Sequence, residues 1–214
     1  MHKELLSKFQ EKHPDIPIIM GATTVLKFHD SFIFSLNKEK YWKDENGLKI
    51  GFSGVGGKVE DGESPKEAAI REVKEEVGQD ISLIPFPKTI FVSESGEKKE
   101  LAFNESPAYI AEFISPGVPG NQNKPGYWGL LLFVFAGTVN NEPAPTEEIP
   151  GIISFTKDTF NLVHNDNISY SEMIAGGSKV IAHKTIPESA LFQPTFSAKI
   201  ISDMRINPDD LFKE

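Results

Sequence analysis

Apolar and polar positions alternate with two different periods along the chain, and the changes of period mark the elements. Residues Lys3 to Lys12 read as a short amphipathic helix, followed by a loop rich in Pro and Ile. "ATTVLKF" and "SFIFSLN" are β-rich runs separated by His29 and Asp30, the pattern of a hairpin. After a polar stretch ending at Asn46, "LKIGFSGVGG" predicts a strand entering a glycine-rich turn. "KTIFVSES" and "AYIAEFIS" predict two more strands, and Pro and Gly punctuate a loop from Ser115 to Gly126. "YWGLLLFVFAGTV" is the most apolar run in the chain, and its aromatic and β-branched content predicts a buried strand. A loop, "NNEPAPTEEIPG", follows it. Near the end, "SEMIA" runs into Gly176 and Gly177, and "TFSAKIISDM" places Phe196, Ile200 and Met204 on one helical face. Strands surround a few helices, so the expected class is α/β or α+β with a mixed sheet. With no internal repeat and no long linker, residues 1–214 are expected to form one domain.

One helix carries more than packing information. Ser64, Pro65 and Glu67 supply an N-cap, a first-turn proline and a capping-box partner, so a helix is predicted from Pro65 to Val77. Ala68, Ala69, Ile70, Val73 and Val77 form its expected burying stripe, and Gly78 stands where a left-handed turn commonly closes a helix. At 100° per residue, Glu72, Glu75 and Glu76 fall within one arc of about 100° beside that stripe. Crowding like charges at these spacings costs roughly 0.2–0.5 kcal/mol per exposed pair, and they lie at the helix end least favourable to anions. Several carboxylate oxygens at this spacing suit a hard divalent cation such as Mg²⁺. An alternative stands beside this: Glu67, Arg71 and Glu75 at i, i+4 and i+8 also fit an exposed salt-bridge ladder.

Charge and composition narrow the partners. The chain has 22 basic and 31 acidic residues, a net charge of −9 and a sequence pI near 5.1, which argues against a broad surface for long nucleic acid or anionic membrane. The absence of cysteine removes disulfides, thiolate metal sites and thiol nucleophiles. No apolar run is long enough to span a bilayer, and the amino terminus lacks an h-region, so the expectation is a cytoplasmic protein. The five histidines show no metal-binding spacing.

With its upstream glycines, the helix completes a longer pattern. Gly57 is followed after five residues by Glu63 and after seven more by Arg71-Glu72, then Val73, Lys74, Glu75-Glu76, Val77 and Gly78. This is similar to the Nudix box, G-x5-E-x7-R-E-U-x-E-E-x-G-U, over residues 57–79. Only Gln79 departs, where an aliphatic residue is usual. A P-loop fails because Val59 follows Lys58 where Ser or Thr is needed, and a dinucleotide fingerprint from Gly54 finds Val59 at its third glycine.

The resemblance to Nudix (MutT-like) hydrolases implies an α/β/α sandwich with a mixed sheet, here with additional N- and C-terminal helices. It implies a metal-dependent pyrophosphohydrolase of nucleoside diphosphates linked to another moiety: ADP-ribose-like compounds, nucleotide sugars, dinucleotides or nucleoside triphosphates. Glu72, Glu75 and Glu76, with the carbonyl of Gly57, match the family's ligands for Mg²⁺, or Mn²⁺ in its place. Glu63 and Arg71 match the pair that supports the loop–helix geometry. The general base is Glu72 or a loop glutamate, for which Glu147 and Glu148 are candidates. Phe52, Lys58 and Trp128 are candidate substrate contacts, and Trp42 and Tyr127 offer further stacking surfaces. A small nucleotide and a second copy of the chain are the implied partners. The alternative is a Nudix-fold module that senses a nucleotide without cleaving it.

Overall fold

The computed structural model describes residues 1–44, 47–117 and 125–212. Asn46, and the middle of the loop expected between Ser115 and Gly126, lie outside them. Helix α1 (His2–Lys12) leads into β1 (Ile18–Phe28), which turns through His29 and Asp30 into β2 (Ser31–Leu36). Strands β3 (Lys49–Ser53) and β4 (Val55–Lys58) bring the chain to α2 (Pro65–Val77). Then follow β5 (Ile81–Leu83), β6 (Thr89–Val92), β7 (Lys98–Leu101), β8 (Tyr109–Pro116) and β9 (Tyr127–Val139). The last part holds β10 (Gly151–Thr156), β11 (Ile168–Ser169), α3 (Tyr170–Ala175), β12 (Lys179–Ala182), β13 (Leu191–Pro194), α4 (Phe196–Met204) and α5 (Pro208–Leu211).

The strands join one mixed sheet, ordered β11-β13-β3-β2-β1-β9-β8-β6-β7, with β4 also on β1 and β10 also on β2. Its centre is the long parallel pairing of β1 with β9, from Ile18 opposite Gly129 to Lys27 opposite Thr138. Both faces of β9 are covered, which explains its unbroken apolar run. Leu131, Phe133 and Phe135 point to the side where Phe9 of α1 and Ala68 and Ala69 of α2 pack. Leu130, Leu132, Val134 and Ala136 point to the other, with Ala198, Ile200 and Ile201 of α4. The period of two within the strand thus serves two cores at once. This is the expected mixed α/β architecture, with helices near both termini.

The structure differs from the sequence expectation at several elements. The glycine-rich turn after β3 is itself a strand: Gly56 and Gly57 pair with Thr23 and Ala22 of β1. A Cβ on Gly56 would lie 2.1 Å from the Ala22 carbonyl oxygen, so only glycine lets the two backbones approach this closely. Ile70, expected in the burying stripe of α2, is 41% exposed. The helix is rotated so that the arc from Ala68 through Val73 to Val77 faces inward, and Glu76 falls near its centre. Phe52 is fully buried and packs against Phe34 and Phe155, both with ring centroids 5.6 Å away, so the candidate substrate contact is a core residue with no free face for stacking.

Candidate functional site

The site is assembled where β4 meets α2. The helix begins as its sequence dictates: the Ser64 hydroxyl accepts from the Glu67 N–H at 3.2 Å, and the Glu67 carboxylate accepts from the Ser64 N–H at 2.8 Å. Glu67 is therefore committed to the cap and takes no part in a ladder through Arg71. At the other end Gly78 adopts φ 67°, and its N–H closes on the Lys74 carbonyl. Gln79, the one departure from the box, accepts a hydrogen bond from the Asn141 amide at 3.3 Å where an aliphatic residue would pack.

Arg71 is the hub. Its Nε and Nη2 donate to the two Glu63 oxygens at 3.1 and 2.7 Å, a bidentate pairing that ties the loop to the helix. Its Nη1 donates to Glu72 at 2.8 Å and Glu75 at 2.9 Å, and its Nη2 also reaches the Lys58 carbonyl at 3.0 Å. The guanidinium holds the Glu63 carboxyl below its usual range, chiefly through these hydrogen bonds. Burial pushes the Glu72 carboxyl up, with Arg71 opposing.

Glu76 differs from its neighbours. It is 8% exposed, and its carboxylate accepts from the Gly56 N–H at 3.1 Å. Burial, reinforced by the charges of Glu72 and Glu148, pushes its pKa up to about 8, while the Gly56 hydrogen bond and Lys38 act the other way. Exposure of the side chains grades across the helix face, from buried Glu76 through Glu72 at 13% to Glu75 at 50%. Gly57 is pressed against this row: a Cβ there would lie 2.5 Å from Glu72 Oε1.

These groups fit a hard divalent cation on donor chemistry, since every candidate ligand is a carboxylate or carbonyl oxygen. As they stand, no three His, Asp or Glu side chains among the described residues are placed to share a metal ion, and Glu72 and Glu75 are hydrogen-bonded to Arg71 instead.

The remaining candidates divide clearly. Thr146 ties the loop after β9 to α2, its N–H donating to the Glu76 carbonyl at 2.9 Å. That tie brings Glu148 close enough for its charge to act on Glu76, while Glu147 is an exposed neighbour. Trp42 donates its indole N–H to the Asn37 carbonyl at 2.7 Å, and Tyr127 is 58% exposed. Trp128 is 7% exposed and, with Gly56 and Glu76, lines a cavity of about 370 Å³ that also holds Lys38, Lys40 and Tyr41. Sequence reasoning passed over Lys38, Lys40 and Tyr41. They sit on the short helical turn after β2, with no motif to mark them, and only the fold brings them to Glu76.

Fold and site together define a protein of the Nudix class. The family model "NUDIX domain" matches residues 34–174, and the chain belongs to that family. Among solved structures it is similar to a hydrolase of the NUDIX family from Clostridium perfringens, at 20% identity and TM-score 0.42, over 76% of this chain and 95% of that one. It is also similar to a MutT protein from Methanosarcina mazei Go1, at 19% identity and TM-score 0.39, over 64% and 76%. A third, an ADP-ribose pyrophosphatase from Streptococcus suis 89-1591, shows 15% identity and TM-score 0.36, over 65% and 75%. No curated protein matches the chain. No helix among the described residues is long and apolar enough to cross a membrane.

Proposed function

We propose that the protein, acting as a single domain, is a metal-dependent pyrophosphohydrolase of a small nucleoside diphosphate derivative. The observation that carries this reading is Glu76: a buried carboxylate of the box on the wall of a cavity whose rim bears Lys38 and Lys40. A buried acid is costly unless something compensates it, and the basic rim suits a polyanionic ligand.

Glu72, Glu75 and Glu76, with the Gly57 carbonyl, are the residues that would hold Mg²⁺ or Mn²⁺. Such an ion supplies neutralisation of phosphate charge and acidification of water. Arg71 sets the orientation of Glu72 and Glu75, and Glu63 together with the Lys58 carbonyl fixes Arg71. As water attacks phosphorus and the bridging phosphorus–oxygen bond of the pyrophosphate breaks, the water's proton would pass to Glu72, if that side chain is left out of the metal set, or to Glu148, whose charge reaches Glu76.

The test is a panel of ADP-ribose, dinucleoside polyphosphates, NADH, nucleotide sugars and nucleoside triphosphates, incubated with Mg²⁺ and assayed for phosphate-bearing products. The expected result is metal-dependent turnover of at least one member, reduced by about 10² or more in Glu75→Gln and Glu76→Gln. Binding of a panel member without turnover would establish the sensing module instead. Turnover unchanged in both variants would overturn the assignment of the box.

A further inference from the structure

One aromatic side chain reaches the site from beyond the region that the family model matches. Phe196 opens α4, twenty-odd residues past Ile174, and it lines two cavities. The larger, about 370 Å³, holds Asn37, Lys38, Lys40, Tyr41 and Glu76. The smaller, about 190 Å³, is walled by Ile19, Met20, Leu130 and Leu132, with Gly57 and Lys58 at its edge. Ser53, Gly56, Trp128 and Phe196 belong to both. The two spaces are thus lobes of one site, polar and basic on one side and apolar on the other, meeting at the strand that carries the box glycines.

The chain takes trouble to place Phe196. The Thr195 N–H and hydroxyl both donate to the Phe52 carbonyl, at 2.8 and 2.9 Å. The Gly54 N–H donates to the buried Ser197 hydroxyl at 2.8 Å, and that hydroxyl lies 3.3 Å from those of Ser53 and Thr23. Between these two anchors Phe196 adopts φ 44°, a left-handed backbone that a bulky L-residue enters only where its surroundings impose it. The ring meets Phe113 edge-on, at 6.3 Å and 87°, and remains partly exposed, so core burial alone does not account for it. Trp128, the other ring common to both lobes, has an indole N–H with no partner.

We infer that Phe196 is a specificity-determining residue, whose ring stacks on the base of a nucleotide. The base occupies the apolar lobe, the pyrophosphate lies across Gly56 and Gly57, and the remainder of the substrate extends toward Lys38 and Lys40. The inference deepens the proposed pyrophosphohydrolase reading and rests on it. Its chemistry is that of a planar, weakly polar group beside an anion: an aromatic wall accepts any base, while the lysines accept the charge.

Calorimetric titration with the four nucleoside monophosphates and with ribose 5-phosphate, which has the phosphate but no base, tests this without turnover. In the unmodified protein at least one monophosphate is expected to bind tenfold or more tightly than ribose 5-phosphate. Phe196→Leu and Phe196→Gly should each reduce that preference by about tenfold, and Phe196→Tyr should retain it. Glycine accepts φ 44° without strain, so thermal melting of Phe196→Gly separates loss of the ring from loss of the fold. The inference is overturned if no base preference exists, if the Leu and Gly variants keep it, or if they weaken both ligand types in parallel. Hydrolysis that depends on Glu76 combined with such a result would sink this inference alone. A ring-dependent base preference without metal-dependent hydrolysis would sink the catalytic reading alone.

Discussion

Replacing Gly57 with alanine isolates the position of one carboxylate from the stability of the fold. Gly57 has no left-handed φ, so alanine fits its backbone, and the three atoms nearest the added Cβ all belong to Glu72: Oε1 at 2.5 Å, Cδ at 2.7 Å and Oε2 at 2.8 Å. Ordinary contact for a Cβ begins at 3.4 Å, so the carboxylate must retreat by about 1 Å. It is the free end of a flexible side chain and can do so by changing rotamer. The retreat breaks its 2.8 Å bond to Arg71, a partly exposed ion pair worth about 0.5–1 kcal/mol. The same displacement of a reacting or metal-holding group costs about 10² in rate, or about 2.7 kcal/mol of activation free energy. Urea denaturation should therefore show a loss below about 1 kcal/mol, and steady-state hydrolysis of the best panel substrate a fall of about 10². Activity within threefold of the parent would refute the placement of Glu72 in the reaction. A stability loss above about 3 kcal/mol would show that the clash falls on backbone and that the steric reasoning is wrong.

Two further outcomes follow from the helix itself. Ser64→Ala removes the hydroxyl that accepts from Glu67 N–H, and should cost about 1 kcal/mol in urea denaturation; no loss would mean the capping box is idle. Glu76 binds its proton up to a pH of about 8 in the folded chain but releases it near 4.5 when unfolded. Between those values the folded state holds more protons, so in EDTA its stability should fall as pH rises through the window. In Glu76→Gln, melting curves should lose most of that slope, and an unchanged slope would assign it to other groups.

Local chemistry was the legible part of this chain. The bounds of α2, its cap and its closing glycine follow from residues within a few positions of one another, and so does the hairpin at His29 and Asp30. What could not be read there depends on distant neighbours. Strand β4 hides in a glycine pair whose strand character comes from the close backbone of β1. Strand β13, four residues ending in proline, exists because it lies parallel to β3. Ile70 turns outward and Glu76 inward because the rotation of α2 is set by what it packs on, and an apolar count of its own residues does not fix that rotation. Among the aromatic candidates, composition cannot separate Phe52, sealed between Phe34 and Phe155, from Trp128 on a cavity wall. The lysines and tyrosine after β2 carry no spacing signal at all.

The bond from Thr195 to the Phe52 carbonyl joins residues 143 positions apart. The wall that Phe196 provides therefore arises late in synthesis. While a ribosome is still making the chain, the box helix and its glutamates can be in place, yet the groove beside them stays open on one side until Ser197 has emerged and found Gly54. Contacts this remote are also the slowest to form by chance encounter. The groove proposed to select the base would then close only after the helix that carries Glu72, Glu75 and Glu76 has folded, so selectivity would be the last property the chain acquires.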